Sequence, residues 1–142
     1  MNRFKGIPTL IFVISALAAM ALTGYAVPEA KAGESFPCVS SSNLDKQIAP
    51  EAELKEFSCF FKKWEGRETL HFNVAVKNVC KEDQRFKVNI FLDNGKGVGG
   101  LIPAKIKKGL VKPGETATAV YPVTSMSEKP KSIMLVIKTM AK

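Results

Sequence analysis

Residues 68–93 read ETLHFNVAVKNV, CKEDQ, RFKVNIFLD, and the fold class turns on them. Leu70, Phe72, Val74 and Val76 alternate with His71, Asn73 and Lys77. Beyond the charged bend, Phe86, Val88, Ile90 and Leu92 alternate with Lys87, Asn89 and Asp93. Two runs of period-two alternation joined by a polar bend predict an antiparallel strand pair with one buried face.

Upstream, Phe57, Cys59, Phe60, Phe61 and Trp64 crowd eight positions and are apolar on both alternation faces. That pattern predicts a strand covered on both sides, entering the central pair through a turn at Glu65-Gly66-Arg67. Before it, Leu44–Lys55 is mixed, and Glu51 and Glu53 after Pro50 suit the start of a short helical turn. Downstream, Asp93-Asn94-Gly95 supplies the positive φ of a tight turn, and Gly97, Gly99 and Gly100 extend that loop. Ile102, Ala104 and Ile106 alternate with Lys105 and Lys107 in a further expected strand. Lys112-Pro113-Gly114-Glu115 reads as a turn, and Thr116–Val123 and Ser132–Met140 are rich in β-branched residues, as strands are. Six to seven short strands without a long helix predict an all-β, antiparallel, immunoglobulin-like β-sandwich.

The runs VAVKNV, FKVNIFLDNGKGVG and LVKPGETATAVYPV carry a resemblance. Over residues 68–140 the chain resembles immunoglobulin-like modules of bacterial extracytoplasmic proteins, the FxLYD-type group. Ile90-Phe91-Leu92-Asp93 echoes the group's signature without its Tyr. The resemblance implies a sandwich fold and an extracytoplasmic location, and it implies no activity.

The 142-residue chain has room for one domain. Residues 1–32 read as a signal peptide: Arg3 and Lys5, then an apolar run from Ile7 to Leu22, then Ala30-Lys31-Ala32 as a cleavage site. The rival reading is an uncleaved anchor over residues 7–27, about the length that spans a bilayer. An extended lead-in over 33–55 and a sandwich domain over 56–142 follow. Net charge is +8 for the whole chain; without residues 1–32, 18 basic and 12 acidic residues leave +6. This balance favours anionic partners: an envelope or membrane protein with an acidic surface, anionic lipid, or polysaccharide. Export argues against nucleic acid.

Cys38, Cys59 and Cys80 in an exported chain predict one disulfide and one leftover thiol. In a tight hairpin, Cys59 falls opposite Asn73, and Cys80 lies too far along the strand to bridge to it. Cys38 is then the common member, with either partner open; without the hairpin, Cys59–Cys80 leads.

Catalysis is not expected. His71 is the single histidine and falls on a polar strand face, so a Cys59–His71 pair is disfavoured. Zinc spacing is lacking, and a copper site from His71, a Cys and one of Met126, Met134 or Met140 would hold one histidine where two are usual. Gly95-Lys96 is followed by Gly97 and not by the Ser or Thr of a phosphate loop. No metal or other cofactor is expected.

The binding candidates are Lys96, Lys105, Lys107, Lys108 and Lys112 as a basic cluster, together with Phe91. Lys105 and Lys107 would stand about 7 Å apart on one strand face; the plainer explanation is an edge strand whose lysines block unwanted pairing. Phe91 falls on the polar parity of its strand, where the N-terminal segment would cover it or a partner would. These features point to a non-catalytic exported binding module or accessory subunit of a cell-envelope assembly. The alternative is a periplasmic binder or carrier of a small ligand or metal.

Overall fold

The computed structural model describes residues 33–103 and 109–140. The expected signal or anchor, and Lys105, Lys107 and Lys108, lie outside the described residues. Seven strands form in chain order: β1 Leu44–Ile48, β2 Ala52–Trp64, β3 Arg67–Asn78, β4 Phe86–Leu92, β5 Gly97–Ile102, β6 Thr116–Pro122 and β7 Ile133–Thr139. They build two packed sheets, β2-β3-β6 and β1-β7-β4-β5, a small β-sandwich. Every pairing is antiparallel except β1 with β7, which is parallel.

The two alternating runs at 70–76 and 86–92 are both strands, but they do not pair with each other. β3 lies between β2 and β6, and β4 lies between β5 and β7. Their apolar faces meet across the core instead: Leu70, Phe72, Val74 and Val76 on one side, Phe86, Val88, Ile90 and Leu92 on the other, all buried. The polar bend carries the chain from one sheet to the other. Buried Asn78 anchors that crossing: its Nδ2 donates to the carbonyls of Glu82 (2.7 Å) and Val111 (2.8 Å), and its Oδ1 accepts the Cys80 N–H.

The β2–β3 hairpin forms through a two-residue turn. Glu65 (φ 50°) and Gly66 (φ 78°) both take positive φ, as a type I′ turn demands. Arg67 therefore belongs to β3 and faces Trp64, and Cys59 pairs with Phe72, one residue from the expected Asn73. Since a one-residue slip exchanges the faces of a strand, this register decides that Cys59 and Phe72 share the core. The aromatic run is not covered on both sides: Phe57, Cys59 and Phe61 pack toward the core cluster, whereas Trp64 is 45% exposed.

The chain after Pro50 forms no helical turn. Ala52 N–H bonds to the Ala49 carbonyl, closing a tight turn that delivers Ala52 into register with Asn78. The glycines after Lys96 are strand, not loop. Gly97 to Ile102 pair with β4, and a Cβ at Gly99 would fall on the Val88 carbonyl oxygen, so only glycine allows the two backbones to approach there.

Cys38 and Cys59 form the disulfide, leaving Cys80 free. Phe36 bonds through both its N–H and its carbonyl to Cys59 at 2.8 Å, so the lead-in is stitched to the outer edge of β2. Among the described residues no helix is long and apolar enough to cross a membrane.

Candidate binding surfaces

Of the lysines proposed as one cluster, Lys96 and Lys112 fall among the described residues, and these two stand apart. Lys96 Nζ donates to the Thr124 (2.8 Å) and Ser125 (3.1 Å) carbonyls, just past the last residue of β6. Lys112 sits exposed in the turn before the first residue of β6, where the Lys112 carbonyl accepts the Glu115 N–H. The seven residues of β6 separate the two by roughly 20 Å, because a strand rises about 3.3 Å per residue. Lys96 acts as a tie: it joins the β4–β5 turn of one sheet to the turn that follows β6 in the other.

Phe91 is half exposed. Among the described residues the N-terminal segment does not cover it, since β1 joins the sheet edge beyond β7. The ring lies instead over Gly97, where an added Cβ would stand 3.6 Å from it. Across the β4–β7 pair, Phe91 stands directly opposite Met134, which is 39% exposed. Along the same outer face, Asn89 opposes Val136, and then Lys87 opposes Lys138. Both lysines are exposed, and neither forms an ion pair among the described residues. One sheet face therefore carries an apolar end and a basic end about 13 Å apart. The parity of Met134 and Lys138 along residues 132–140 can be read from the sequence, but not that β7 runs beside β4.

His71 is buried, contrary to the half-exposed position expected for it. Its ring stacks on Phe60 (5.1 Å, 17°), and Trp64 meets it edge-on (6.1 Å, 75°). Its Nδ1 lies 2.9 Å from the Thr69 carbonyl, an acceptor, so the proton sits on Nδ1. Cys59 faces the core from the opposite side of the sheet, with its sulfur held in the disulfide. Met126 is buried near the end of β6, while Met134 faces outward on the other sheet. Among the described residues no group of three or more His, Cys, Asp or Glu is arranged to hold a metal ion.

The thiol of Cys80 lies in the crossing loop and bonds locally: Sγ accepts from the Glu82 N–H and the Gln84 amide, at 3.3 and 3.1 Å. Asp93 accepts the backbone N–H of Lys131 at 3.0 Å, which holds its carboxyl below the ordinary value and ties the β4–β5 turn to the segment before β7. Tyr121 points into the core, and burial pushes its phenol up to about 12. Comparison with protein-family models, curated proteins and solved structures returns no match, so the surfaces of the chain itself carry the functional reading.

Proposed function

We propose that the chain is a non-catalytic exported binding module, an accessory subunit that docks onto an acidic surface of another cell-envelope protein through the outer face of its four-stranded sheet. The Lys87–Lys138 opposition carries this assignment. Like charges directly across a strand pair repel. Lysines that guard a sheet edge belong on edge strands, but β4 and β7 are the two central strands of their sheet. An acidic partner would relieve the repulsion, and Phe91 with Met134 would supply the apolar contact that interface centres favour. The disulfide suits an oxidising compartment, and the signal-like start of the chain suits delivery to a periplasmic or extracellular site.

The test is cross-linking in intact cells with a C-terminally tagged chain, run beside a Lys87→Glu/Lys138→Glu variant. One protein captured at fixed stoichiometry by the native chain and lost from the variant is the expected result. Equal capture by both chains would sink the proposed face, and the absence of any captured protein would sink the accessory-subunit reading.

A further inference from the structure

The sandwich carries a second, chemically different surface at the end formed by the β2–β3 turn. There an open cleft of about 240 Å³ is lined by Trp64, Glu65, Arg67, Thr69, Thr124 and Ser125. A second hollow of about 350 Å³ adjoins it, shares Arg67 and Ser125, and adds Glu68 and Ser127. Together they fall within the size of ordinary small-molecule sites, roughly 300–1,000 Å³.

The walls are fixed before any ligand arrives. Trp64 rests against His71, which is itself clamped by the Phe60 stack and by its bond to the Thr69 carbonyl. The two-residue turn sets Arg67 directly across from Trp64. On the facing wall, Ser125 holds φ 58°, a left-handed conformation uncommon for a non-glycine residue and one that concentrates at binding sites. The Lys96 ammonium, bonded to the Thr124 and Ser125 carbonyls, keeps that turn in place, and the Met126 N–H closes it onto the Val123 carbonyl at 3.2 Å.

The chemistry of the lining narrows the ligand. A guanidinium and two carboxylates share the space, and none of the three forms an ion pair among the described residues. An anion would meet Glu65 and Glu68, and a cation would meet Arg67. A purely apolar ligand would leave the charged groups without partners, at a cost in desolvation. A neutral ring studded with hydroxyls satisfies all of them. Its C–H face covers the apolar indole, while its hydroxyls accept from Arg67 and donate to the glutamates. We propose that this end of the sandwich binds an uncharged oligosaccharide, with Trp64 as the stacking platform and Arg67, Glu65 and Glu68 as the hydroxyl-reading groups. Two adjoining hollows suit consecutive sugar units better than a single ring. The site belongs to the opposite sheet from the Lys87–Lys138 face and stands independently of it.

Trp64 is the only tryptophan of the chain, so its emission reports on the site directly. Full-length protein is titrated with cellotetraose, maltotetraose and tri-N-acetylchitotriose. A saturable change in emission with at least one of them is expected. Arg67→Ala, which keeps the reporter, should weaken that response by about tenfold or more, the loss of one charge-assisted hydrogen bond. Trp64→Ala should abolish binding by calorimetry. Lys46→Ala, exposed on β1 of the other sheet, should leave affinity unchanged, and thermal unfolding of each variant checks that the sandwich stays folded. The proposal is overturned if none of the three sugars gives saturable binding, if Arg67→Ala binds as well as the native chain, or if only a polyanion such as heparin binds.

Discussion

Tyr121→Phe is expected to make this protein more stable, although it deletes a polar group from a buried side chain. Tyr121 stands across from Phe72 in the β3–β6 pair and is 8% exposed. Its ring lies so close to β5 that a Cβ at Gly100 would come within 3.1 Å of it. The hydroxyl is buried and finds no hydrogen-bond partner among the described residues. An unpartnered buried hydroxyl costs about 1–3 kcal/mol, while Phe keeps the ring and its packing. The variant should therefore gain about 1–2 kcal/mol at neutral pH, and each kcal/mol should raise Tm by roughly 4 °C in a domain of this size. A second signature appears in alkali. The folded-state pKa of the phenol is raised to about 12 because burial disfavours the phenolate. The neutral phenol's contribution is thus fully present below the unfolded value near 10 and is lost as pH rises through 12. Two pKa units correspond to about 3 kcal/mol. Lysine deprotonation in the same range affects both proteins equally, so the difference between their stabilities isolates Tyr121. Urea unfolding of both, at pH 7 and at intervals from pH 10 to 11.5, is the assay. A variant less stable than the native chain at pH 7 would mean the hydroxyl is satisfied. Parallel pH profiles would mean that it titrates as if exposed. Either result refutes the reasoning.

Two further expectations concern the scaffold. Folded protein should show one titratable thiol, Cys80, and denatured, reduced protein three; reduction of Cys38–Cys59, which spans 21 residues, should lower stability by about 3 kcal/mol in urea unfolding. Gly99→Ala should destabilise by about 2–4 kcal/mol, because its methyl would overlap the Val88 carbonyl. Gly97→Ala, which meets only ordinary contacts at 3.6 Å, should unfold near the native midpoint in the same experiment.

The strands were legible because alternation is local, and the sheets were not because pairing is global. The runs at 70–76 and 86–92 announce that each buries one face. Two strands can bury such faces side by side in one sheet or opposite each other across a core, and the pattern is the same in both cases. A separating clue did exist. Residues 79–85 are seven in number, more than the two to five of most hairpin loops. Crossing from sheet to sheet is what such a length allows. Conversely, Glu65-Gly66 was legible as a turn, yet counting Arg67 within it shifted the register by one. The glycines at 97, 99 and 100 misled because glycine ordinarily marks loops, while here the Val88 backbone beside Gly99 and the Tyr121 ring beside Gly100 crowd the place of a missing Cβ. Lys96 and Lys112 looked like neighbours for want of knowing that β6 runs its whole length between them. His71 was assigned to a polar face by parity, correctly as to face and wrongly as to exposure, because the face itself is clad by Phe60 and Trp64.

The same topology makes the two proposed surfaces separable in experiment. Lys87, Lys138, Phe91 and Met134 project from β4 and β7, whereas Trp64 and Arg67 flank the β2–β3 turn of the other sheet. Two packed sheets stand about 10 Å apart, and these side chains point away from each other. Substitutions that far apart, with no shared partner, combine additively. Charge reversal at Lys87 and Lys138 should therefore leave the Trp64 response to sugar untouched, and Arg67→Ala should leave capture of the protein partner untouched. The residue that connects the two regions is Lys96, whose ammonium spans from the β4–β5 turn to the wall of the cleft. Lys96→Met keeps the stem and removes the two hydrogen bonds. If the cleft depends on a fixed Ser125 turn, this variant should weaken sugar binding while the sheet face continues to capture its partner. Loss of both functions together would instead show that the surfaces communicate through that lysine, and that the additive picture drawn from their separation is wrong.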